Sequence, residues 1–342
     1  MLAAAPRLER RLVWGAIVVL VTGFAVAPVL LSHDVYSYVD YARLGVRHGL
    51  DPYVHPPLAV PTDPAFAQVT WTEATSAYGP LFTLLTYPLA WLPVGAAVAV
   101  LKAVAALSVL GIAAVVSRLA AWRGVDPLRA AAFVALNPLV LVHVVGGAHN
   151  DALTMLLAML AVAALLSARE LSAGAALVAA VATKASAAFL APFALLGAEA
   201  RSRFLAGAAG TATALVVAAW LAFGWDWLDG FGLAGENQDR TSYMSIPITA
   251  ARLTGLDPDA VRLAAAILFA AAVTYLLAWT WRGGDWIRAA AWAALALLLA
   301  TSWLLPWYLI WVLPLAAISR DRPLQLLTLA LTAYQLGARI PL

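Results

Sequence analysis

An acidic residue followed by tyrosines at helical spacing is the first feature that could do chemistry. Asp34 opens the sequence Asp-Val-Tyr-Ser-Tyr-Val-Asp-Tyr of residues 34–41. Residues three and four positions apart are neighbours on a helix, so Asp34, Tyr38 and Tyr41 are predicted to share one face. A carboxylate ringed by tyrosines can hold a polar ligand. The alternative is a helix that Asp34 caps at its N-terminus, beside a belt of interfacial aromatic residues.

A second polar group lies in the sequence Gly-Gly-Ala-His-Asn-Asp of residues 146–151. His149 and Asp151 have side chains that can ligate a divalent cation such as Mg or Mn, or orient a phosphate. Asp34, His149 and Asp151 are therefore the candidate metal ligands, and the need for a metal stays open. The alternative is that Asp151 caps the next helix, which leaves the adjacent histidine without a role.

The chain contains two lysines, Lys102 and Lys184, and both lie in apolar surroundings. A lysine at the centre of a bilayer costs about 2.5–3.5 kcal/mol on insertion scales. The apolar run 171–197 avoids that cost if it forms a hairpin of two short helices with Lys184 at the outer tip. There its ammonium can bind phosphate. Lys102 is a second candidate for phosphate binding, although snorkelling to the outer interface accounts for it equally well.

The elements that must position these residues are membrane helices. The chain has 342 residues, of which 64% are hydrophobic and 11% charged, whereas soluble domains have roughly 25% charged residues. A water-soluble enzyme is therefore excluded. The absence of cysteine excludes disulfide scaffolds, thiolate metal sites and cysteine nucleophiles. The composition predicts an all-α polytopic membrane protein, with membrane lipids and no nucleic acid among its partners.

Runs long enough to cross a bilayer, at about 20 residues each, predict about eleven transmembrane helices in one domain covering 1–342. The predicted spans are 12–32, 94–119, 128–145, 152–168, two within 171–197, 204–223, 260–281, 286–303, 307–318 and 324–337. Because cytoplasmic loops collect arginine and lysine, the arginines at 118–129, 169, 201–203, 282–288 and 320–322 place the amino terminus inside the cell and the carboxy terminus outside.

Two long polar stretches are then predicted on the extracytoplasmic side. Residues 33–93 form a first loop with surface helices, and dense prolines fix much of its backbone. Such a loop is expected to cover a site, although a connector without function has the same composition. Residues 224–259 form a second loop whose tryptophans and carboxylates suit sugar recognition and suit a solvated interfacial loop equally well.

Several short motifs, in this order, resemble one known family. They are His-Asp-Val-Tyr-Ser-Tyr at 33–38, Gly-Leu-Asp-Pro-Tyr at 49–53, Tyr-Gly-Pro at 78–80, Asn-Pro-Leu at 137–139, His-Asn-Asp at 149–151 and Pro-Trp-Tyr at 306–308. The pattern is similar to that of the GT-C glycosyltransferases. Within them it resembles the polyprenyl-phosphate-mannose-dependent α-1,6-mannosyltransferases of the mycobacterial and corynebacterial cell envelope.

The resemblance implies a GT-C-like fold and an inverting, single-displacement transfer on the extracytoplasmic face of the cell membrane. The donor would be a polyprenyl-phosphate-linked sugar, with mannose favoured, and the acceptor a glycan or a lipid-linked glycan. Asp34 would be the general base, and Lys184 would stabilise the departing phosphate, which His149 and Asp151 orient directly or through a divalent ion. The remaining substrate-binding candidates are Tyr36, Tyr38, Asp40, Tyr53, Tyr78 and Lys102.

Two other functions are compatible with such a chain. Broken membrane helices that carry a charge are also found in transporters, so a polyprenyl-lipid flippase is one alternative. Against it, the sequence shows no inverted repeat, and the inner halves of the spans are nearly all alanine, leucine and valine. The other alternative is a non-catalytic subunit that presents lipid to a partner, which would not need the carboxylates Asp34 and Asp40.

Overall fold

A computed structural model describes residues 5–236 and 239–337, so positions 237 and 238 of the predicted second loop lie outside it. Every regular element within the described residues is helical, which confirms the all-α prediction. The α-helices are α1 (Ala5–Val26), α2 (Asp34–His48), α3 (Pro80–Thr86), α4 (Val94–Trp122), α5 (Pro127–Ala135), α6 (Asp151–Leu166), α7 (Glu170–Thr183), α8 (Ala191–Gly197), α9 (Arg201–Phe223), α10 (Trp227–Glu236), α11 (Ile246–Thr254), α12 (Pro258–Trp281), α13 (Trp286–Ala300), α14 (Leu313–Ile318) and α15 (Arg322–Gly337).

Three helices in the described part of the chain, α4, α9 and α12, are long and apolar enough to cross a membrane. The 24 residues of α12 extend about 36 Å at 1.5 Å each, against a hydrocarbon core of about 30 Å. The most apolar stretch of α12 is not buried inside the protein, while that of α4 is half buried. Apolar side chains that face outward along a whole helix are typical of a lipid-facing segment.

The predicted span 128–145 is not one continuous helix. Helix α5 ends at Ala135, and a π-helix follows over Val140–Val145. The cause is Pro138, which lacks an N–H group and disfavours the helical conformation of the residue before it. The side chain of that residue, Asn137, instead accepts a hydrogen bond from the backbone of Leu139 at 3.0 Å. The bundle is therefore interrupted just before the turn that carries His149.

The predicted break at Lys184 is confirmed. Helix α7 ends at Thr183, and Lys184 has an extended backbone with φ −156° and ψ 126°. A 3-10 helix over Ala185–Leu190 then leads into α8. The apolar run 171–197 therefore consists of short helical pieces, and its lysine stands at the break between them.

The first loop folds onto α2, whose residues 37–44 are buried. Arg43 donates to Asp63 at 2.7 Å, and both side chains are almost fully buried. Asp63 also contacts His48 at 2.8 Å. Farther along the loop, the Tyr41 hydroxyl donates to the Ala74 carbonyl at 2.8 Å. These contacts fix the proline-rich segment against the middle and the C-terminal half of α2.

Three arginine-bearing loops meet at one end of the bundle. Arg123, after α4, forms an ion pair with Asp285, before α13, and donates to the Ile318 carbonyl at 2.7 Å. Arg288 pairs with Asp321 at 2.6 Å. From this end α13 runs for 15 residues, about 22 Å at 1.5 Å each, towards the polar residues singled out above.

Candidate active site

Asp34 is the first residue of α2, and its side chain does not cap the helix. Its Oδ1 accepts a hydrogen bond from Trp71 Nε1 at 3.1 Å, and its Oδ2 lies 3.7 Å from His149 Nδ1. Burial raises the pKa of Asp34 above its ordinary value of 3.8, while the Trp71 hydrogen bond and the charge of Lys184 act in the opposite direction. A carboxylate with a raised pKa is a better proton acceptor at neutral pH.

Lys184 is held by a buried carboxylate. Its Nζ donates to Asp151 Oδ2 at 2.7 Å, and the Asp151 side chain is fully buried whereas that of Lys184 is 17% exposed. Asp151 Oδ1 accepts a second hydrogen bond from Trp311 Nε1 at 2.7 Å. The ammonium also lies 5.4 Å from the centre of the Tyr308 ring. The N-terminus of α6 and two aromatic residues thus fix the lysine at the point where α7 ends.

Asp34 and Lys184 line the same cavity, whose volume is about 910 Å³. Pockets for small ligands are usually about 300–1,000 Å³, so this one has room for more than one sugar. The aromatic residues in its wall are Tyr41, Trp71, Tyr78, Phe231, Phe269, Trp303, Trp307, Tyr308 and Trp311. Helix α12 contributes an apolar side that includes Leu263 and Ala266. Asp239, Arg240, Asp259 and Arg262 also line it. The cavity therefore joins carboxylates, cations, an aromatic wall and an apolar wall.

His149 is a buried, neutral imidazole beside Asp34. Its ring stacks on Trp307, with centres 3.7 Å apart and planes 17° apart. Neither of its ring nitrogens has a hydrogen-bond partner among the described residues. Burial lowers the pKa of His149 well below its ordinary value, and the charge of Lys184 lowers it further. The separation of 3.7 Å from Asp34 is accordingly a contact between an imidazole and a carboxylate, and not an ion pair.

The three candidate metal ligands do not form a metal site. Within residues 5–236 and 239–337, no group of three histidine, aspartate or glutamate residues is placed to hold a metal ion. Both oxygens of Asp151 are engaged, one by the ammonium of Lys184 and the other by Trp311. The cationic position beside Asp151 is therefore supplied by the protein itself.

Two predicted tyrosines lie beside Asp34. Tyr78 lines the cavity. Tyr38 lies behind it, is 2% exposed, and packs edge-on against the Tyr78 ring at 4.8 Å and against Phe82 at 5.0 Å. Burial raises the pKa of both tyrosines far above its ordinary value. Tyr78 is therefore a neutral contact for a ligand, and Tyr38 is a support for it.

Other candidates are not among the residues that line the cavity. Lys102 Nζ donates to the carbonyls of Ala27 and Pro28, just beyond the end of α1, at 3.0 Å to Pro28. Those two carbonyls satisfy a buried ammonium in the way that a phosphate would. Asp40 lies on α2 in the group of charges around Arg43, and burial raises its pKa to about 7. The hydrogen bonds of Lys102 indicate a role in holding the fold.

Tyr53 and Tyr36 also contact other residues of the protein and not the cavity. The Tyr53 hydroxyl donates to the Tyr78 carbonyl at 2.9 Å, and its ring packs edge-on against Phe223 at 5.1 Å. Tyr53 therefore ties the first loop to α9. The Tyr36 ring packs edge-on against His33 at 5.5 Å. Neither lines the cavity.

Sequence reasoning missed Trp71 and Trp311, the two indoles that bind the carboxylates. Trp71 lies in the proline-rich part of the first loop, outside every motif named in the sequence. Trp311 lies in the apolar run 307–318 and reads as a core residue. An aromatic N–H in a loop expected to cover a site was the available signal for Trp71. For Trp311, which contacts Asp151 from 160 positions away, the sequence holds no comparable signal.

Gly79 explains how the first loop reaches Lys184. Its N–H donates to the Thr183 carbonyl at 3.2 Å, and a Cβ at this position would lie 2.1 Å from the Ala182 carbonyl oxygen. Gly79→Ala is therefore expected to push α3 away from α7 and to lower the free energy of unfolding by about 1–3 kcal/mol. Unfolding in mixed micelles measures this difference.

The matched control for Gly79→Ala is Gly95→Ala in α4. A Cβ at Gly95 meets nothing within 4 Å, and alanine is the better helix former. We expect this control to be neutral or stabilising. Equal stability of the Gly79→Ala and Gly95→Ala proteins would contradict the close contact between Gly79 and the end of α7.

Comparison with known proteins agrees with the motifs. A family model described as "Alpha-(1->6)-mannopyranosyltransferase, N-terminal domain" matches residues 1–201. The chain is 31% identical over 332 residues to Alpha-(1->6)-mannopyranosyltransferase A of Mycobacterium tuberculosis, a match that covers 85% of this chain and 63% of that protein. It is 32% identical over 174 residues to the protein of the same name from Corynebacterium glutamicum, covering 49% of this chain and 35% of that one.

The chain thus spans less than two thirds of the length of these relatives. No solved structure matches it. The family model covers more than half of the chain, and the similarity to the Mycobacterium tuberculosis protein extends over most of the rest. The resemblance in the motifs is confirmed: the chain belongs to the alpha-(1->6)-mannopyranosyltransferase family.

Proposed function

We propose that the protein transfers mannose from a polyprenyl-phosphate donor to a glycan or lipid-linked acceptor on the extracytoplasmic face of the membrane. The observation that carries this proposal is that Asp34 and Lys184 face one cavity. One of them can accept a proton, and the other can neutralise a phosphate. The names of the relatives supply mannose as the sugar and an α-1,6 bond as the linkage.

The proposed reaction is one inverting displacement. The acceptor hydroxyl gives its proton to Asp34 Oδ2 while its oxygen attacks the anomeric carbon of mannose. The bond between that carbon and the phosphate oxygen breaks, and polyprenyl phosphate leaves with the electron pair. Negative charge grows on the phosphate in the transition state, where a fixed cation is most effective. Lys184, held by Asp151, is that cation.

The apolar side of the cavity suits the prenyl chain. Leu263, Ala266 and Phe269 of α12 and Phe231 of α10 belong to the same wall as the polar groups. Helix α12 has its most apolar stretch outside the protein core, so a lipid chain can pass from the cavity along it without leaving apolar surroundings. The sugar end of the donor would then lie between Lys184 and Asp34.

We place the cavity on the extracytoplasmic side and retain about eleven membrane helices in a GT-C-like arrangement. The support is the arginine cluster around Arg123 and Arg288, at one end of α13, because cytoplasmic loops collect arginine. Leu297 and Ala300, at the other end of α13, line the cavity. The length of α13 thus separates the cavity from the cluster around Arg123 and Arg288.

A flippase and a lipid-presenting subunit remain the alternatives. A flippase needs polar groups along both halves of its path. The polar residues of this cavity lie at one end of α13, and its other lining from α12 and α13 is largely apolar. A lipid-presenting subunit has no use for a carboxylate with a raised pKa beside the bound phosphate.

Turnover of a labelled donor by the purified full-length chain tests the proposal. The protein is incubated with radiolabelled polyprenyl-phosphate mannose and a panel of mannan-type glycan acceptors. Transfer of label to an acceptor, with slow donor hydrolysis when the acceptor is omitted, supports the proposal. Movement of intact donor across a vesicle membrane without transfer would favour the flippase. Donor binding with neither event would favour the lipid-presenting subunit.

A further inference from the structure

The indole of Trp71 is a polar partner of Asp34 that lies outside every motif used above. Trp71 is 37 residues from Asp34 in the sequence, and its Nε1 donates to Asp34 Oδ1 at 3.1 Å. We propose that Trp71 is the positioning residue of the base, holding Oδ1 so that Oδ2 is presented to the acceptor hydroxyl. This inference rests on the proposed function, in which Asp34 is that base.

The two oxygens of Asp34 have different surroundings. Oδ1 is bonded to the indole, whereas Oδ2 lies 3.7 Å from His149 Nδ1, which is beyond hydrogen-bond distance. The carboxylate cannot rotate about its Cβ–Cγ bond without breaking the contact with Trp71. One oxygen is therefore fixed and the other is available. Attack on the anomeric carbon depends on such alignment, because small displacements of a catalytic group cost large factors in rate.

Trp71 is itself held from the second loop. The guanidinium carbon of Arg240 lies 5.0 Å from the centre of the Trp71 ring, within the range of a cation–π contact. Trp71 is 36% exposed and lines the cavity. The indole thus lies between a residue of the first loop and one of the second. Both loops contribute to the placement of the base.

Trp71 also affects the charge state of Asp34. A donor to a carboxylate stabilises the ionised form, and the Trp71 hydrogen bond lowers the pKa of Asp34 against the larger effect of burial, which raises it. The other charged or titratable groups that face Asp34 are Lys184, Asp151, His149, Tyr38, Tyr41, Tyr78 and Tyr308. Lys184 and Asp151 form an ion pair, His149 is neutral, and burial raises the pKa of the tyrosines outside the spans. Asp239, Arg240, Asp259 and Arg262 also line the cavity, so a shift of the acid limb that Trp71→Phe shows and a control variant does not is assigned to Asp34.

Trp71→Phe tests the proposal because it keeps an aromatic ring for Arg240 and removes the N–H group. The remaining carboxylate loses a stabilising donor, so its pKa rises. We expect the acid limb of kcat/KM for mannosyl transfer to move upward by about one pH unit. Transfer on that limb would then fall about tenfold relative to the plateau. The KM for the donor is expected to stay within about twofold, because Trp71 contacts the base and not the phosphate.

Trp91→Phe is the matched control. Trp91 lies in the same loop under the guanidinium of Arg47, at 5.4 Å, but does not line the cavity. Trp91→Phe should keep the wild-type pH dependence of kcat/KM. Trp71→Gln, which keeps an N–H donor without the ring, is the second variant and should keep a limb closer to wild type than Trp71→Phe does.

The outcomes separate this proposal from the function on which it rests. An unshifted acid limb in Trp71→Phe, or equal shifts in Trp71→Phe and Trp71→Gln, would overturn the positioning role. If Trp71→Phe does not fold, Trp71→Met, which also lacks the N–H group, is compared with Trp71→Gln in its place, and equal acid limbs in those two variants would overturn the positioning role. Full transfer by Asp34→Asn would instead show that Asp34 is not the general base. That result would contradict the proposed function, whatever the profiles of the Trp71 variants.

Discussion

Replacing Asp34 by asparagine is expected to lower the rate of mannosyl transfer by about 10²- to 10⁴-fold, the usual contribution of a general base. The amide cannot accept the acceptor proton at Oδ2, yet its Oδ1 can still accept the hydrogen bond from Trp71. The variant is therefore expected to fold and to bind donor as the wild type does. Steady-state transfer and direct donor binding, measured on the same preparation, check both parts.

Asp40→Asn is the control for the Asp34 variant. Asp40 is also an aspartate on α2, but it is buried near Arg43 and Asp63 and does not line the cavity. Since burial raises its pKa to about 7, an amide there costs little. We expect near wild-type transfer. Full activity in Asp34→Asn together with a loss in Asp40→Asn would reverse the two roles.

Lys184→Met is expected to weaken donor binding by about 10- to 100-fold, the value of a hydrogen bond to a charged group. Methionine keeps an apolar chain against Tyr308 and Trp311 and removes the ammonium that would meet the phosphate. Acceptor affinity should change far less, because the acceptor lies on the Asp34 side. Titration with polyprenyl-phosphate mannose, and separately with an acceptor glycan, measures the two affinities.

The other lysine provides the comparison for Lys184. Lys102→Met also removes an ammonium, from the carbonyls of Ala27 and Pro28, and is expected to lower stability without changing donor affinity. The Lys184 variant leaves Asp151 buried with the Trp311 hydrogen bond alone, so the double variant Lys184→Met with Asp151→Asn restores charge balance. Donor affinity that recovers in the double variant would contradict a direct contact between Lys184 and phosphate.

Much of the site could be predicted because several of its residues lie within short, local sequence motifs. Asp34 stands at the start of its own helix, and its tyrosine neighbours follow from helical spacing. The break at Lys184 followed from the cost of a lysine in an apolar run. Both depend on local chemistry, which the order of residues records directly. The all-α class followed in the same way from composition.

The rest depends on contacts between distant segments. Lys102 and Lys184 both lie in apolar runs, so the sequence offers both as candidates for phosphate binding, with Lys184 favoured because it stands at a helix break. What separates them is their partners: two carbonyls at the end of α1 in one case and the carboxylate of Asp151 in the other. In the same way, the sequence offers Asp151 as a possible metal ligand. In the structure its two oxygens accept hydrogen bonds from Lys184 and Trp311. No local pattern encodes such pairings.

The ion pair between Lys184 and Asp151 has a consequence for the release of product. A lone lysine would hold the polyprenyl phosphate most tightly once the sugar has gone, when the phosphate bears its full charge. Here the ammonium already has a permanent counter-ion at 2.7 Å, so the resting pocket is close to electrical neutrality at this point. In the proposed reaction, the departing lipid would leave a lysine that is still paired with Asp151, and the site would be free for the next donor.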